Sequence, residues 1–335
     1  MSNYMIYDVH AHCIPPSFRK WLAESGGDHG LSVVEESGAT CVRFGDRYTT
    51  GPLRDSLGDM SARVEDMDRM GVDVQLLAGW IDLTGYDLDP DDGEGYARAH
   101  NESLAEHASL HPERFLPLAT LPLQNPSAAA AELGRAMTEL GMVGAQIATT
   151  VGDDWLDRAP LDEVWEAATE LGAFVVLHPM APLTGIALDR YFMSNTVGRP
   201  AETTIALAGL ISSGVFERHP DLVMCAVHGG GFAPFQVGRL NRGYEAKPEL
   251  AAKQISRLPG DYLSRLYVDT VVHDAGVLRF LIDSMGPDHV LLGTDYPFEM
   301  GEDDPVGLVE SVAGIEPDQT EAILGGNVER LLGRA

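Results

Sequence analysis

Two histidines with one residue between them, His10 and His12 in "MIYDVHAHCIP" (5–15), follow a short apolar run. In a strand, residues two apart point the same way, so both imidazoles project together. Three further groups of similar chemistry close other apolar runs: His178 in "FVVLHP", His228 in "MCAVHGGG" and Asp295 in "LLGTDYPF". Imidazole nitrogen and carboxylate oxygen suit a borderline divalent cation such as zinc, and a catalytic site keeps one position open for water. A lone histidine at a strand end is more often a packed core residue. Five ligand candidates at the ends of four strands are hard to explain by packing, so a metal centre is expected. No strand end carries Lys, a common bridging group once carboxylated, so a single ion is expected.

The other candidates are weaker. Asp8, two residues before His10, is assigned to supporting the strand, and Cys13 to packing. His273, just past "DTVV", is the one other histidine considered for touching substrate. His111 and His219 each precede Pro near a helix end, and His29, His100, His107 and His289 join no constellation.

Eight apolar runs are available to position these groups: 5–10, 73–79, 114–121, 142–149, 173–178, 222–228, 266–270 and 289–294. Continuous rather than alternating apolar character marks strands covered on both faces. Helical patterns lie between them at 58–70, 93–110, 127–140, 161–171, 201–218, 274–285 and 317–333, several bounded by Pro at the start and Gly at the end. Eight strands alternating with helices predict a (β/α)8 barrel, with active-site residues at the C-terminal ends of the strands. A doubly wound sheet is the alternative, but no G-x-G-x-x-G follows the first strand. Residues 13–57 break the alternation and read as a small insertion over the barrel mouth, with a hairpin in "ATCVRFGDRYTT" turning at Gly45-Asp46. Residues 181–200 are a second candidate lid. With no repeat or linker, 1–335 is expected to form one domain.

Composition narrows the partners. The net charge of −28 over 335 residues disfavours nucleic acid and anionic membranes, and an anionic substrate would need a local cation. Only Lys20, Lys247 and Lys253 are lysines, so nearly every cation is Arg. Cys13, Cys41 and Cys225 form neither a disulfide framework nor a thiolate zinc pattern, which points to a reducing cytoplasm. No secretory pattern opens the sequence, and no apolar run reaches the ~18 residues of a membrane span.

The motifs "DVHAH", "LHP", "PAETT" (200–204), "GVFERHPDL" (214–222), "HGGGFAPFQVGR" (228–239), "VDTVVHD" (268–274) and "LLGTDYPFEMGE" (291–302) together resemble the decarboxylase branch of the amidohydrolase superfamily. That branch comprises the aminocarboxymuconate-semialdehyde decarboxylases and related metal-dependent aromatic-acid decarboxylases. The resemblance spans nearly the whole chain and is weakest over 13–57 and 181–199. It implies a deformed barrel holding one divalent ion, zinc expected and manganese the alternative. By position, His10, His12, His178 and Asp295 would be its ligands, with His228 beside the metal water as acid and base. It also implies a homodimer in which Arg239 reaches the neighbouring site to hold a substrate carboxylate. A second carboxylate-binding Arg would come from the insertion: Arg47 is chosen, with Arg43 and Arg54 as alternates. Trp80 and Phe298 are expected to line the substrate pocket. Two departures bear on the substrate: Met180 stands in "HPMAP" where close relatives have Trp, and the lid "LDRYFMSNTVGR" keeps Phe192 but lacks a second Trp.

The expected reaction is non-oxidative decarboxylation of an unsaturated or aromatic carboxylic acid, with Asp295 and His228 handling protons. A metal can orient the acid and an Arg can stabilise developing negative charge. The competing expectation is hydrolysis of a carbon–carbon bond, lactone or amide in a ring-cleavage product, which would use the same ligands. A barrel that binds metal without catalysis is disfavoured because every ligand candidate is intact. Gly229 to Gly231 read as a tight turn and not a phosphate cradle, and "PAETT" as a helix start.

Overall fold

The structure, a computed structural model, describes residues 4–180, 183, 188–251 and 253–333. All eight expected strands form, most of them shorter than the apolar runs. β1 (Tyr7–Cys13), β2 (Val74–Gly79) and β3 (Phe115–Pro117) make one parallel sheet. β4 (Gly144–Ala148), β5 (Phe174–His178), β6 (Met224–Ala226), β7 (Tyr267–Asp269) and β8 (Val290–Leu291) make another. Single parallel bridges, Ala119 with Ala145 and Ala11 with Tyr296, join the sheets at both edges. Backbone bonds from Ala119 to Gly144 (2.8 Å), Val9 to Leu292 (3.0 Å) and His12 to Tyr296 (2.8 Å) run along these seams. The architecture is the expected (β/α)8 barrel, deformed at two seams where the regular ladders stop.

The continuous apolar runs have the predicted consequence: every residue of β1, β2, β4 and β5 is buried. A cluster drawn from alternate strand residues, including Val9, Leu76, Leu118, Phe174, Val176 and Leu291, packs as a barrel interior does. The larger core lies between strands and helices. The surrounding helices are α1 (Met60–Met70), α2 (Pro90–Ala108), α3 (Pro126–Glu139), α4 (Asp162–Leu171), α5 (Arg199–Ser212), α6 (Ala233–Ala246) and α7 (Ala275–Met285). Their ends follow local chemistry. Asp59 caps α1 through the Ala62 N–H (3.0 Å), Asp274 caps α7, and Gly71 and Gly172 adopt the left-handed conformation that stops α1 and α4.

Two long helices escape the sequence patterns, as do the short ones Pro248–Ala251, Pro259–Leu263 and Pro305–Glu310. α6 begins within "HGGGFAPF", where glycines and Pro234 mask its start, and Pro16–Glu24 is a helix inside the insertion. The rest of the insertion is an antiparallel sheet of Leu31–Glu36, Ala39–Phe44 and Tyr48–Thr49. Its second hairpin is the expected one, turning at 45–47; the strand Leu31–Glu36 was not expected. Residues 181, 182 and 184–187 of the candidate lid at 181–200 lie outside the described residues; the rest leads through a wide helical turn, Ser194–Gly198, into α5.

Candidate metal centre and active site

β1 delivers His10 and His12 by an irregular route. Its register against β2 slips between Asp8 and Ala11, so a bulge re-aims the strand just before the histidines. Asp8 is thereby separated from them. Its carboxylate accepts from the Gln75 amide (2.9 Å), the Thr294 hydroxyl (2.6 Å) and the His10 N–H (2.9 Å). This is the supporting role expected of it. Burial pushes its pKa up to about 6 against those bonds.

Three imidazoles are held through Nδ1. His10 Nδ1 bonds Asp269 Oδ2 at 2.7 Å, His12 Nδ1 faces the Gly79 carbonyl at 3.4 Å, and His178 Nδ1 bonds the Pro179 carbonyl at 2.7 Å. With those protons on Nδ1, each Nε2 presents a lone pair, and none of the three has a hydrogen-bond partner. Asp295 Oδ1 has none either, yet it stands 3.3 Å from His10 Nε2 and 3.1 Å from His12 Nε2. Acceptors converging on an acceptor repel unless a cation lies among them. Three neutral imidazoles and a carboxylate are the donor set of a divalent metal centre, and the buried Nδ1 partners fix the tautomer that ligation needs.

His228 completes the group. Its Nε2 is 3.4 Å from Asp295 Oδ2, and its ring centroid lies 5.1 Å from that of His10 and 5.3 Å from that of His178. Ligand atoms of His10, His178, His228 and Asp295 all lie within 4.8 Å of one another. His12 joins the same cluster, its ring 4.9 Å from that of His178. All five sequence candidates are therefore brought together.

Protonation follows from these neighbours. Burial lowers the pKa of His12 and, with the other imidazoles, that of His178 further. Asp295 is held well below the carboxylate range, its burial outweighed by His10, His12 and His228. Burial also pulls His10 down, but the charges of Asp295 and Asp269 outweigh it and raise its pKa.

Two cavities open on the cluster, of about 290 Å³ and about 200 Å³, both lined by His228 and Asp295. Trp80 and Phe298 line the smaller one, with the Phe298 ring 5.4 Å from His12. His273 lines the larger one, its Nδ1 3.4 Å from Glu302.

Among the three candidate arginines of the insertion, neither Arg47 nor Arg43 lines either cavity. The hairpin holds Arg43 on an outer face, paired with Glu36 at 2.5 Å, and leaves Arg47 exposed in the turn. The chain then returns to the barrel, and Arg54 is the insertion arginine that lines the smaller cavity, 2.8 Å from Glu299 and over the Phe298 ring. Arg239 is exposed on α6 and lines neither cavity.

Sequence reasoning missed several residues. Asp269 was read only as part of a strand, yet it is fully buried against His10. Glu202 is more than a helix start: it is 1% exposed and accepts from the Met180 N–H (2.7 Å) and the Thr149 hydroxyl, tying α5 to β4 and the end of β5. Arg63 on α1, also buried, donates to the His12 carbonyl (2.6 Å) and Gln75 (3.2 Å). Arg199 and Asn195 line both cavities. A polar residue inside an apolar run was the available signal for Asp269 and Gln75; nothing in the local pattern marks Arg199.

A barrel with an imidazole–carboxylate cluster at the C-terminal ends of its strands defines a metal-dependent barrel enzyme. The amidohydrolase family matches residues 7–334, and the chain belongs to that family, in its decarboxylase branch. It is 34% identical over 326 residues to a 2-amino-3-carboxymuconate-6-semialdehyde decarboxylase of Dictyostelium discoideum, covering 97% of this chain and 91% of that one. The fold resembles a 5-carboxyvanillate decarboxylase from Sphingomonas paucimobilis, with a TM-score of 0.82, 26% identity and coverage of 98% and 99%. It also resembles a dihydroxybenzoic acid decarboxylase from Polaromonas with bound manganese and the inhibitor 2-nitroresorcinol, with a TM-score of 0.80, 25% identity and coverage of 98% and 97%. Among the described residues no helix is long and apolar enough to cross a membrane.

Proposed function

We propose that the protein is a metal-dependent, non-oxidative decarboxylase of a small unsaturated or aromatic carboxylic acid. The observation that carries this reading is the convergence of three Nε2 lone pairs on Asp295 Oδ1 beside His228, at the floor of two cavities. His10, His12, His178 and Asp295 would hold one divalent ion, zinc by its preference for such donors and manganese as the alternative. A bound ion would supply a Lewis acid that orients the substrate and takes up developing negative charge.

This chain's own residues do the rest. Arg54 faces the smaller cavity and would hold a substrate carboxylate, competing with Glu299 for it. Trp80 and Phe298 exclude water and stack against the carbon skeleton. As the carbon–carbon bond to the carboxylate breaks, its electron pair stays on the substrate carbon and CO2 departs. His228, aligned by Asp295 Oδ2, returns a proton to that carbon. Hydrolysis remains the second reading because the same cluster could serve it.

A homodimer fits the surface around Arg239. On α6 and α7, Phe235 and Phe280 stack at 4.4 Å while 45% and 40% exposed, an apolar face beside an unpaired cation. The whole chain is proposed to act as one catalytic unit in a reducing cytoplasm, consistent with Cys13, Cys41 and Cys225 all being buried free thiols.

The test is a turnover screen of zinc- and manganese-loaded protein against aminocarboxymuconate semialdehyde, hydroxybenzoates and dicarboxylated phenols, reading CO2. Release of CO2 without incorporation of heavy oxygen from water into the organic product is expected. Incorporation without CO2 would establish the hydrolase instead.

A further inference from the structure

We propose that Arg199, with Asn195 one turn before it, forms a second anion subsite beside the metal centre and makes the enzyme select acids that carry a further carboxylate. The proposal rests on the reading of the site as one for small carboxylic acids.

Arg199 opens α5 and lines both cavities that contain His228 and Asp295; so does Asn195. Its Nη1 donates to the Pro179 carbonyl at 2.6 Å. Its Nη2 comes no closer than 3.9 Å to Asp82 Oδ1, beyond hydrogen-bond reach. A guanidinium has five N–H donors in a planar fork, and the side chain is 30% exposed. The fork is therefore anchored at one corner and open along an edge.

Asp82 lines neither cluster cavity but a third one of about 300 Å³, which it shares with Tyr48, Met180, Asn195 and Arg199. At 3.9 Å it balances the charge of Arg199 without accepting a hydrogen bond from it. Arg54, the other arginine that lines a cluster cavity, is paired with Glu299 at 2.8 Å. In a chain of net charge −28, a guanidinium with an open edge lining the reaction cavity is the group an additional carboxylate would seek. The remaining wall of the larger cavity, including Phe232, Val271, Val272, Val277 and Met300, suits a flat carbon skeleton and offers no other fixed cation.

The alternative role for Arg199 is to buttress Pro179, whose carbonyl also accepts from His178 Nδ1. Calorimetric binding of benzoate and isophthalate (benzene-1,3-dicarboxylate) to the metal-loaded wild type, R199M and R199K separates the two. The wild type should prefer isophthalate by about ten- to hundredfold, the range of a charge-assisted pair. That preference should vanish in R199M and survive in part in R199K. A wild type without preference, or an R199M protein that weakens both acids equally, overturns the subsite; should R199M fail to fold, an R199K protein that loses affinity equally for both does so. Binding is read without turnover, so failure to release CO2 from any acid would end the decarboxylase reading and leave this result standing.

Discussion

Replacing Asp269 by Asn changes one atom and should disable a ligand that the substitution does not touch. Asp269 is fully buried. Its Oδ1 accepts from the Gly229 N–H (2.8 Å) and the Val271 N–H (3.2 Å), and its Oδ2 from His10 Nδ1 (2.7 Å). An Asn side chain has one oxygen. Two backbone donors, which cannot change, outweigh one imidazole donor, which can. The amide oxygen therefore stays with the backbone and the NH2 turns to His10. Donor would face donor, so His10 shifts its proton to Nε2, the atom 3.3 Å from Asp295 Oδ1, and its lone pair no longer points into the cluster. Losing such a partner typically weakens metal binding by about ten- to hundredfold, which is about 1.4 to 2.7 kcal/mol. Competition against a chromophoric chelator, with zinc and with manganese, measures this directly. The metal-free proteins should melt cooperatively in both forms, since shape and backbone bonds are kept. A D269N protein with wild-type metal affinity would refute the tautomer argument.

Other outcomes follow from the same geometry. His228→Asn should keep its metal yet lose at least about 100-fold in turnover, measured as metal content and CO2 release on one sample. Metal affinity should fall as pH falls, because the raised pKa of His10 makes a proton compete for Nε2; the chelator competition repeated at lower pH reads it. If Arg239 acts across a dimer, mixing and refolding R239A with H228N should restore turnover that neither has alone, since one site of the mixed dimer keeps both groups. His100 is buried with neither ring nitrogen bonded, and burial pushes its pKa from 6.5 down to about 3. The folded state thus refuses a proton that the unfolded state accepts below 6.5, so stability present above that pH is lost as pH falls, by about 2 to 3 kcal/mol at pH ~4.5. Urea unfolding should show that acid loss in the wild type and little of it in H100L.

The barrel was legible because both of its signals are local. An apolar run covered on both faces looks the same in every parallel strand, and Gly71 or Asp274 announces a helix end without tertiary help. The five cluster residues were legible for a related reason: polar groups that end apolar runs stand out. What stayed hidden depends on how distant segments meet. On sequence Arg47 is preferred to Arg43 and Arg54, but the insertion's hairpin leaves Arg47 exposed in its turn while the returning chain brings Arg54 to the cavity. Asp269 and His10 are far apart in sequence, and only the barrel's closure sets them 2.7 Å apart. Arg199 shows the same limit, since its partners Pro179 and Asp82 come from two other loops.

One feature of the backbone recurs just after the last three strands. His228, His273 and Asp295, after β6, β7 and β8, adopt φ of 54°, 57° and 57°, a left-handed conformation that costs a non-glycine residue about 1 to 2 kcal/mol. A strand continued through 228 or 295 would keep alternating its side chains in and out. The left-handed residue instead turns the chain beyond the ladder, with its side chain lining the larger cavity. Each turn is tied down: the Asp295 N–H donates to the His10 carbonyl (2.8 Å), the Gly231 N–H to that of His228 (3.0 Å), and the Val272 N–H to that of Thr270 (2.8 Å). Strain held at three adjacent strand ends, and all of it facing one cavity, is the signature of a site whose geometry is fixed before substrate arrives. His273 shares that conformation and that cavity with two members of the cluster, although its side chain is 41% exposed.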